Sequence, residues 1–325
     1  MTQSSLTDMY CPKCGDQLAE AQRSECPACG WALRRAGATA NNARECGLEA
    51  AGLVIDLFGR YAQDRLVQSW SDIPRRSTAQ VDEAIAATWE CERTQAARDG
   101  RALFNGELGR LVRVEATASA LRLELGTTCY RDFLGTNLRG DFLATSEHPD
   151  ELANPLGTSV IVLTDDGFLA FGRRSEQVNY HARHLHAFGG MLEDADRITG
   201  GGYDVFGAAV RELGEEINVR PEMIGEIVIF GLVRDTSIMQ PELLFEASVR
   251  LSREELEEQY RSATERDEHC RIELVPAERD AIVPFIEGAA PVTAVAKGAS
   301  VLFGRSRWGD SWYERAYCQV FGQVA

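Results

Sequence analysis

The sequence predicts a mixed α/β (α+β) fold: a mixed sheet flanked by helices, preceded by a small mixed domain and a cysteine-rich module. Three observations predict it. Apolar runs of strand length and helix-periodic segments are interspersed without strict alternation, which favours a mixed sheet over an all-parallel one. The clearest helix, around 205–217, follows a strand hairpin and a glycine pair and carries an apolar stripe suited to a sheet face. Four of the nine cysteines fall in the first 35 residues, as CPKC and CPAC.

Those four, Cys11, Cys14, Cys26 and Cys29, are two CxxC pairs whose separation closes on one tetrahedral Zn²⁺. In a reducing compartment zinc is favoured over disulfides or free thiols. Residues 1–35 read as a zinc ribbon, too small to hold a core without its metal, and a small polar linker occupies 36–46. Cys46, Cys91, Cys129, Cys270 and Cys318 stand singly and read as small buried apolar residues rather than reactive ones.

A mixed α/β domain is expected over 47–150. Residues 53–58 (LVIDLF) form a strand candidate. A helix over 77–98 is opened by Ser77 with Gln80 three residues on, and stopped by Gly100. Residues 111–116 and 121–125 alternate as half-buried strands do.

The last domain, 151–325, begins with strands at 158–164 and 168–171 around an Asp165-Asp166-Gly167 turn. After Gly189–Gly190 and the 205–217 helix, strands follow at 227–232 and 243–249. An acidic helix over 252–261 opens with a capping box, Ser252 and Glu255. There is no internal repeat.

At 325 residues the chain has room for about two domains of ~150 residues. Its 44% hydrophobic and 26% charged residues exclude a disordered or fibrous class. No apolar run reaches the ~18 residues a membrane span needs, and the N-terminus lacks signal-peptide features, so a cytoplasmic location is expected. A net charge of −16 opposes binding to nucleic acid or anionic lipid. It does not oppose a small phosphorylated ligand, because a bound metal reverses the local sign.

The chemistry concentrates between Phe188 and Val219. Asp204 caps the helix, and Asn218 supplies the left-handed residue that ends it. Glu212, Glu215 and Glu216 then stand at i, i+3 and i+4, within an arc of about 100°. Like charges at that spacing repel unless a cation sits among them, and clustered hard oxygens are what Mg²⁺ or Mn²⁺ takes. Val210, Leu213 and Ile217 form the stripe that holds the opposite face against a sheet.

This stretch resembles the Nudix box, G-x5-E-x7-R-E-U-x-E-E-x-G-U with U apolar, at Arg211, Glu212, Leu213, Glu215, Glu216 and Val219. Asn218 replaces the last glycine. The loop after Glu193 is longer than the pattern, and Asp204 is the acid nearest the place of its early glutamate. Segments 82–90, 120–137 and 171–178 are similar to the animal UDP-glucose diphosphatases of that superfamily, the likeness covering roughly 80–325. It implies a Nudix α/β/α sandwich and Mg²⁺-dependent cleavage of a UDP-sugar (UDP-glucose or UDP-galactose) to UMP and a sugar 1-phosphate.

The resemblance makes Glu212 and Glu216 metal ligands and Glu215 a further ligand or water activator. Arg211 holds a helix glutamate, Gly190 joins the Mg²⁺ set, and Glu242 is a distal Mg²⁺ ligand or base, or else an exposed strand-edge glutamate. Arg173 and Arg174 meet phosphate oxygens or are surface arginines. Tyr130, Arg131, Asp132, Thr136 and Asn137 read uracil and ribose or brace the two domains, with bracing favoured. His181, His184 and His186 tempt a metal reading, but Mg²⁺ prefers oxygen and alternate strand histidines need no ligand. Competing readings are an NADH- or ADP-ribose-type diphosphatase, whose zinc ribbon lies between its domains and whose SQPWPFPxS marker is absent here, and a non-catalytic nucleotide-sugar sensor. The expected partner is a small nucleoside diphosphate sugar, with a protein partner at the zinc ribbon and no membrane.

Overall fold

A computed structural model of the protein describes residues 52–138, 149–178, 180–265 and 268–322, with strands also assigned at 9–10, 17–18 and 48–50. Cys11, Cys14, Cys26, Cys29 and Cys46 lie outside the described residues, and the burial expected of the other single cysteines is not met, since Cys91, Cys270 and Cys318 are exposed and Cys129 is half-buried. On either side of the first cysteine pair in sequence, β1 (Met9–Tyr10) and β2 (Gln17–Leu18) pair antiparallel.

Strand β3 (Leu48–Ala50) turns into β4 (Leu53–Tyr61), and β5 (Leu66–Trp70) follows. Helix α1 (Ala79–Asp99) leads to β6 (Glu107–Ala116), β7 (Leu121–Cys129) and the short α2 (Tyr130–Gly135). Strands β5, β7 and β6 make a three-stranded sheet, β5 parallel and β6 antiparallel to β7. The predicted cap of α1 moves by one residue. Thr78, in extended backbone, accepts the Val81 N–H at 3.3 Å, while Ser77 is bonded to Asp82 instead. Gly100 ends the helix at φ +67, as expected.

The larger sheet is built from β8 (Gly157–Leu163), β9 (Phe168–Arg174), β10 (Leu185–His186), β11 (Ile224–Asp235), β12 (Gln240–Val249) and β13 (His269–Pro276), joined by β4 and β3. Its order is β10-β9-β8-β12-β11-β4-β3, with β13 also on β9. It is mixed, since β8 and β12 run parallel and the other pairs antiparallel. Helix α3 (Val205–Ile217) lies on one face. Helices α5 (Ile282–Gly288), α6 (Ala294–Trp308) and α7 (Asp310–Phe321) cover the other, and α4 (Arg253–Tyr260) opens with the predicted Ser252/Glu255 capping box.

The strand expected inside the 47–150 domain is β4, and it hydrogen-bonds along β11 of the larger sheet. Leu53 and Ile55 bury under α6, where Gly298 lets the helix approach so closely that a Cβ would come within 2.5 Å of Leu53. The same pairing covers the backbone edge of β11, which would otherwise lie open. Leu121, Leu123 and Leu125 of β7 share one core with Leu213 and Ile217 of α3, so the small sheet backs onto the α3 side. No helix among the described residues is long and apolar enough to cross a membrane.

Candidate active site

Helix α3 begins and ends as its sequence dictates. Asp204 accepts the Gly207 N–H at 2.9 Å, and Asn218 closes the helix at φ +55. Leu213 and Ile217 bury in the core, and Glu212 and Glu216 are turned beneath the Gly189–Gly190 turn. That turn requires glycine twice. Gly189 has φ +145, and a Cβ there would meet the Thr158 carbonyl oxygen at 1.9 Å. On Gly190 a Cβ would come 2.3 Å from Glu212 Oε1. The Gly189 N–H donates to Glu216 Oε2 at 2.8 Å, and the Gly190 carbonyl accepts the Thr158 N–H at 2.7 Å.

Both carboxylates are held away from water, 8% and 1% exposed. Burial pushes Glu212 up to about 8, with Arg211 opposing and Glu215, Glu268 and Glu265 adding to the rise. Burial, then the charges on Glu212 and Glu268, drive Glu216 well above the usual carboxylate range. Glu216 Oε1 has no hydrogen-bond partner among the described residues, an uncommon state for a buried charged group. Glu215 is more open and accepts from Arg211 at 2.8 Å.

Arg211 knits the cluster together. Its guanidinium makes a two-pronged contact with Asp196, at 3.1 and 3.0 Å, and lies 3.0 Å from Glu212 and 3.4 Å from Glu193. These anions raise the already high pKa of the guanidinium although burial works against it. The arginine's partner before the helix is therefore Asp196, which sequence reasoning missed. Asp204 is occupied as the helix cap, and Glu193 caps the turn over Asp194–Asp196 while reaching Arg211 only at the longer distance. The clue was the acidic run Glu193–Asp196, hidden because the loop breaks the expected spacing.

The two predicted arginines part company, because adjacent strand residues face opposite ways. Arg174 turns to the α3 face, where its charge acts on Glu216, and it lies 3.9 Å from Glu268. Arg173 is buried on the other face, donating to Glu273 and to the carbonyls of Arg183, Ala289 and Pro291. Opposite Arg174 on β13 sits His269, also unforeseen. Burial and then Arg174 push its imidazole down to about 3, so it is neutral, and its Nδ1 stands 3.9 Å from Glu216 Oε1.

Glu242 is bonded to Ser159 on β8 and pushed up to about 7 by burial. It shares the sheet face of Leu244, and no hydrogen bond links it to Glu212 or Glu216 among the described residues. Tyr130 and Arg131 begin α2 beside the start of β6, whose Leu108 bridges to Glu193. Asn137 is fully buried, donating to the Ile238 carbonyl at 2.9 Å and accepting the Asn154 N–H at 3.0 Å. His184 and His186 use Nδ1 on the Ala182 carbonyl and the Thr293 hydroxyl, and His181 lies 3.4 Å from Asp235.

Among the described residues no three His, Cys, Asp or Glu side chains converge as a finished metal site. The donors nevertheless suit a hard divalent cation: two carboxylates raised by burial, Glu216 further by the charge of Glu212 and with one bare oxygen, under glycines that leave room.

No protein-family profile matches the chain. Over 168 residues it is 29% identical to the mouse (Mus musculus) uridine diphosphate glucose pyrophosphatase NUDT22, spanning 47% of this chain and 54% of that protein. The human (Homo sapiens) protein of the same name is 28% identical over 168 residues, 47% of this chain and 55% of its own length. The chain thus spans about half the length of the curated relatives it matches. A Nudix-family hydrolase from Clostridium perfringens overlies 47% of this chain and 97% of its own, at 12% identity and a TM-score of 0.29, a likeness too loose to bear on the site.

Proposed function

We propose that the chain is a Mg²⁺- or Mn²⁺-dependent Nudix hydrolase that cuts the diphosphate of a UDP-sugar, UDP-glucose or UDP-galactose, to UMP and a sugar 1-phosphate. The observation that carries this reading is the buried Glu212–Glu216 pair under Gly189–Gly190, with Glu216 Oε1 unpartnered. Glu212 and Glu216 would hold the cation, with Gly190 beside them. When bound, the cation neutralises diphosphate charge and makes a water molecule more acidic.

The chain's own residues do the rest. Arg211 keeps Glu215 and Glu212 aligned on the helix face. Arg174 is the arginine available to phosphate oxygens, whereas Arg173 has its guanidinium committed to carbonyls and Glu273. Asn137 braces the chain at Ile238 and Asn154, leaving Tyr130 and Arg131 as the candidates to meet nucleoside. In the hydrolysis, water oxygen bonds to one phosphorus and the bridging oxygen leaves with the other phosphate.

The uridine and sugar assignment is supported by the names of the mouse and human relatives. Release of UMP or AMP at equal substrate and excess Mg²⁺ tests it. UDP-glucose and UDP-galactose should exceed ADP-glucose, ADP-ribose and NADH, because polar groups left unpaired by the wrong base cost roughly 1–3 kcal/mol each. A higher kcat/KM for ADP-ribose or NADH overturns the UDP-sugar assignment and leaves the hydrolase.

A further inference from the structure

Four buried polar atoms without hydrogen-bond partners meet at one place: Glu216 Oε1, Arg174 Nε, and both ring nitrogens of His269. His269 is 2% exposed and its ring is held on two sides. Gly172 lies under it so closely that a Cβ would come within 2.2 Å of Cδ2, and Phe188 meets it edge-on with centroids 5.5 Å apart. The register of β13 slips between His269 and Arg271, a bulge that turns the imidazole inward while Cys270 faces solvent. An apolar side chain would fill this space without leaving orphaned nitrogens, so packing alone does not account for a histidine there.

Glu216 Oε2 already has the Gly189 N–H, and Oε1 has the His269 Nδ1 facing it at 3.9 Å, with no hydrogen-bond partner among the described residues. That separation is too long for a direct bond and suits one shared water, or closure when the site is loaded. We propose that His269 is the positioning residue of Glu216, its Nδ1–H holding the free carboxylate oxygen, directly or through one water, so that the carboxylate stays aimed beneath the Gly189–Gly190 turn. The inference rests on the reading of Glu216 as a cation ligand. Such outer partners of a ligand fix its orientation and therefore its affinity for the ion.

The test is Mn²⁺ binding by the full chain without substrate, read as free Mn²⁺ by electron paramagnetic resonance. An asparagine amide nitrogen falls where Nδ1 was, and a glutamine nitrogen falls where Nε2 was. His269→Gln and His269→Phe should weaken Mn²⁺ binding roughly 10-fold, while His269→Asn stays within about threefold of wild type. Far-UV circular dichroism checks each fold; should glutamine fail to fold, the phenylalanine–asparagine comparison decides. Wild-type affinity in the Gln or Phe variant overturns the proposal, as does an equal loss in Asn and Gln. If the unaltered protein binds no Mn²⁺, the cation reading of Glu216 falls and the proposal falls with it.

Discussion

Gly189 and Glu216, 27 positions apart, are joined by a backbone N–H donated to a buried carboxylate oxygen at 2.8 Å. The contact exists because Gly189 adopts φ +145 against the Thr158 carbonyl, where a Cβ would lie at 1.9 Å. Gly189→Ala should cost about 2 kcal/mol or more and lower Tm by roughly 5 °C. Gly167→Ala is the control: φ is +84, but no atom lies within 4 Å of the added Cβ, so strain alone costs about 1 kcal/mol. Equal shifts in scanning fluorimetry would contradict the close approach.

Glu216→Gln should lower turnover ~10²–10⁴-fold, the scale for an acid that holds a catalytic ion. Stability should move the other way in metal-free protein, since the substitution removes a carboxylate whose charge burial and Glu212 both disfavour. The expected signature is an unchanged or raised Tm without Mg²⁺, together with loss of the rise that Mg²⁺ gives wild type. Turnover near that of wild type would sink the assignment.

Asp204 is the acid the sequence places nearest the motif position, whereas the structure gives the contact with Arg211 to Asp196. Asp196→Ala removes the two-pronged partner of Arg211 and should cost about 3 kcal/mol in urea unfolding. Asp204→Ala removes a helix cap and should cost about 1 kcal/mol. The reverse ranking would contradict the role given to Asp196.

Burial, and then the charge of His181, push His184 down to about 3 from its ordinary 6.5. The folded protein therefore binds fewer protons than the unfolded chain between those values. The His184 contribution to stability is full above pH 6.5 and is lost as pH falls towards 3. His184→Gln should flatten this acid limb when melting is followed from pH 7 to pH 5. An unchanged slope would show that His184 is not held neutral.

The four cysteines at 11, 14, 26 and 29 should bind one zinc per chain, and a chain beginning near residue 40 should lose the zinc and keep hydrolysis. Elemental analysis and UMP release check the two halves. Protein purified without chelator yet free of zinc would count against the site, and loss of turnover on truncation would count against its independence.

The acidic-helix motif was legible because it is local. The spacing of Glu212, Glu215 and Glu216, the Asp204 cap and the Asn218 stop all lie within one helix, where periodicity and capping determine which face each residue takes. The hairpin, its Asp-Asp-Gly turn and the Ser252 capping box were read from neighbours in the same way. Tertiary structure decided what depends on partners far along the chain. It sent β4 to β11, since an apolar strand pattern names no partner. It also split Arg173 from Arg174, since which of two neighbours faces the site follows from sheet register. Asp196 reached Arg211 through a loop whose length hid the motif, and His269 came to Glu216 across 53 positions, through a bulge that no local signal marks. Composition and periodicity specify the face a residue presents, but only packing in three dimensions specifies what lies against it.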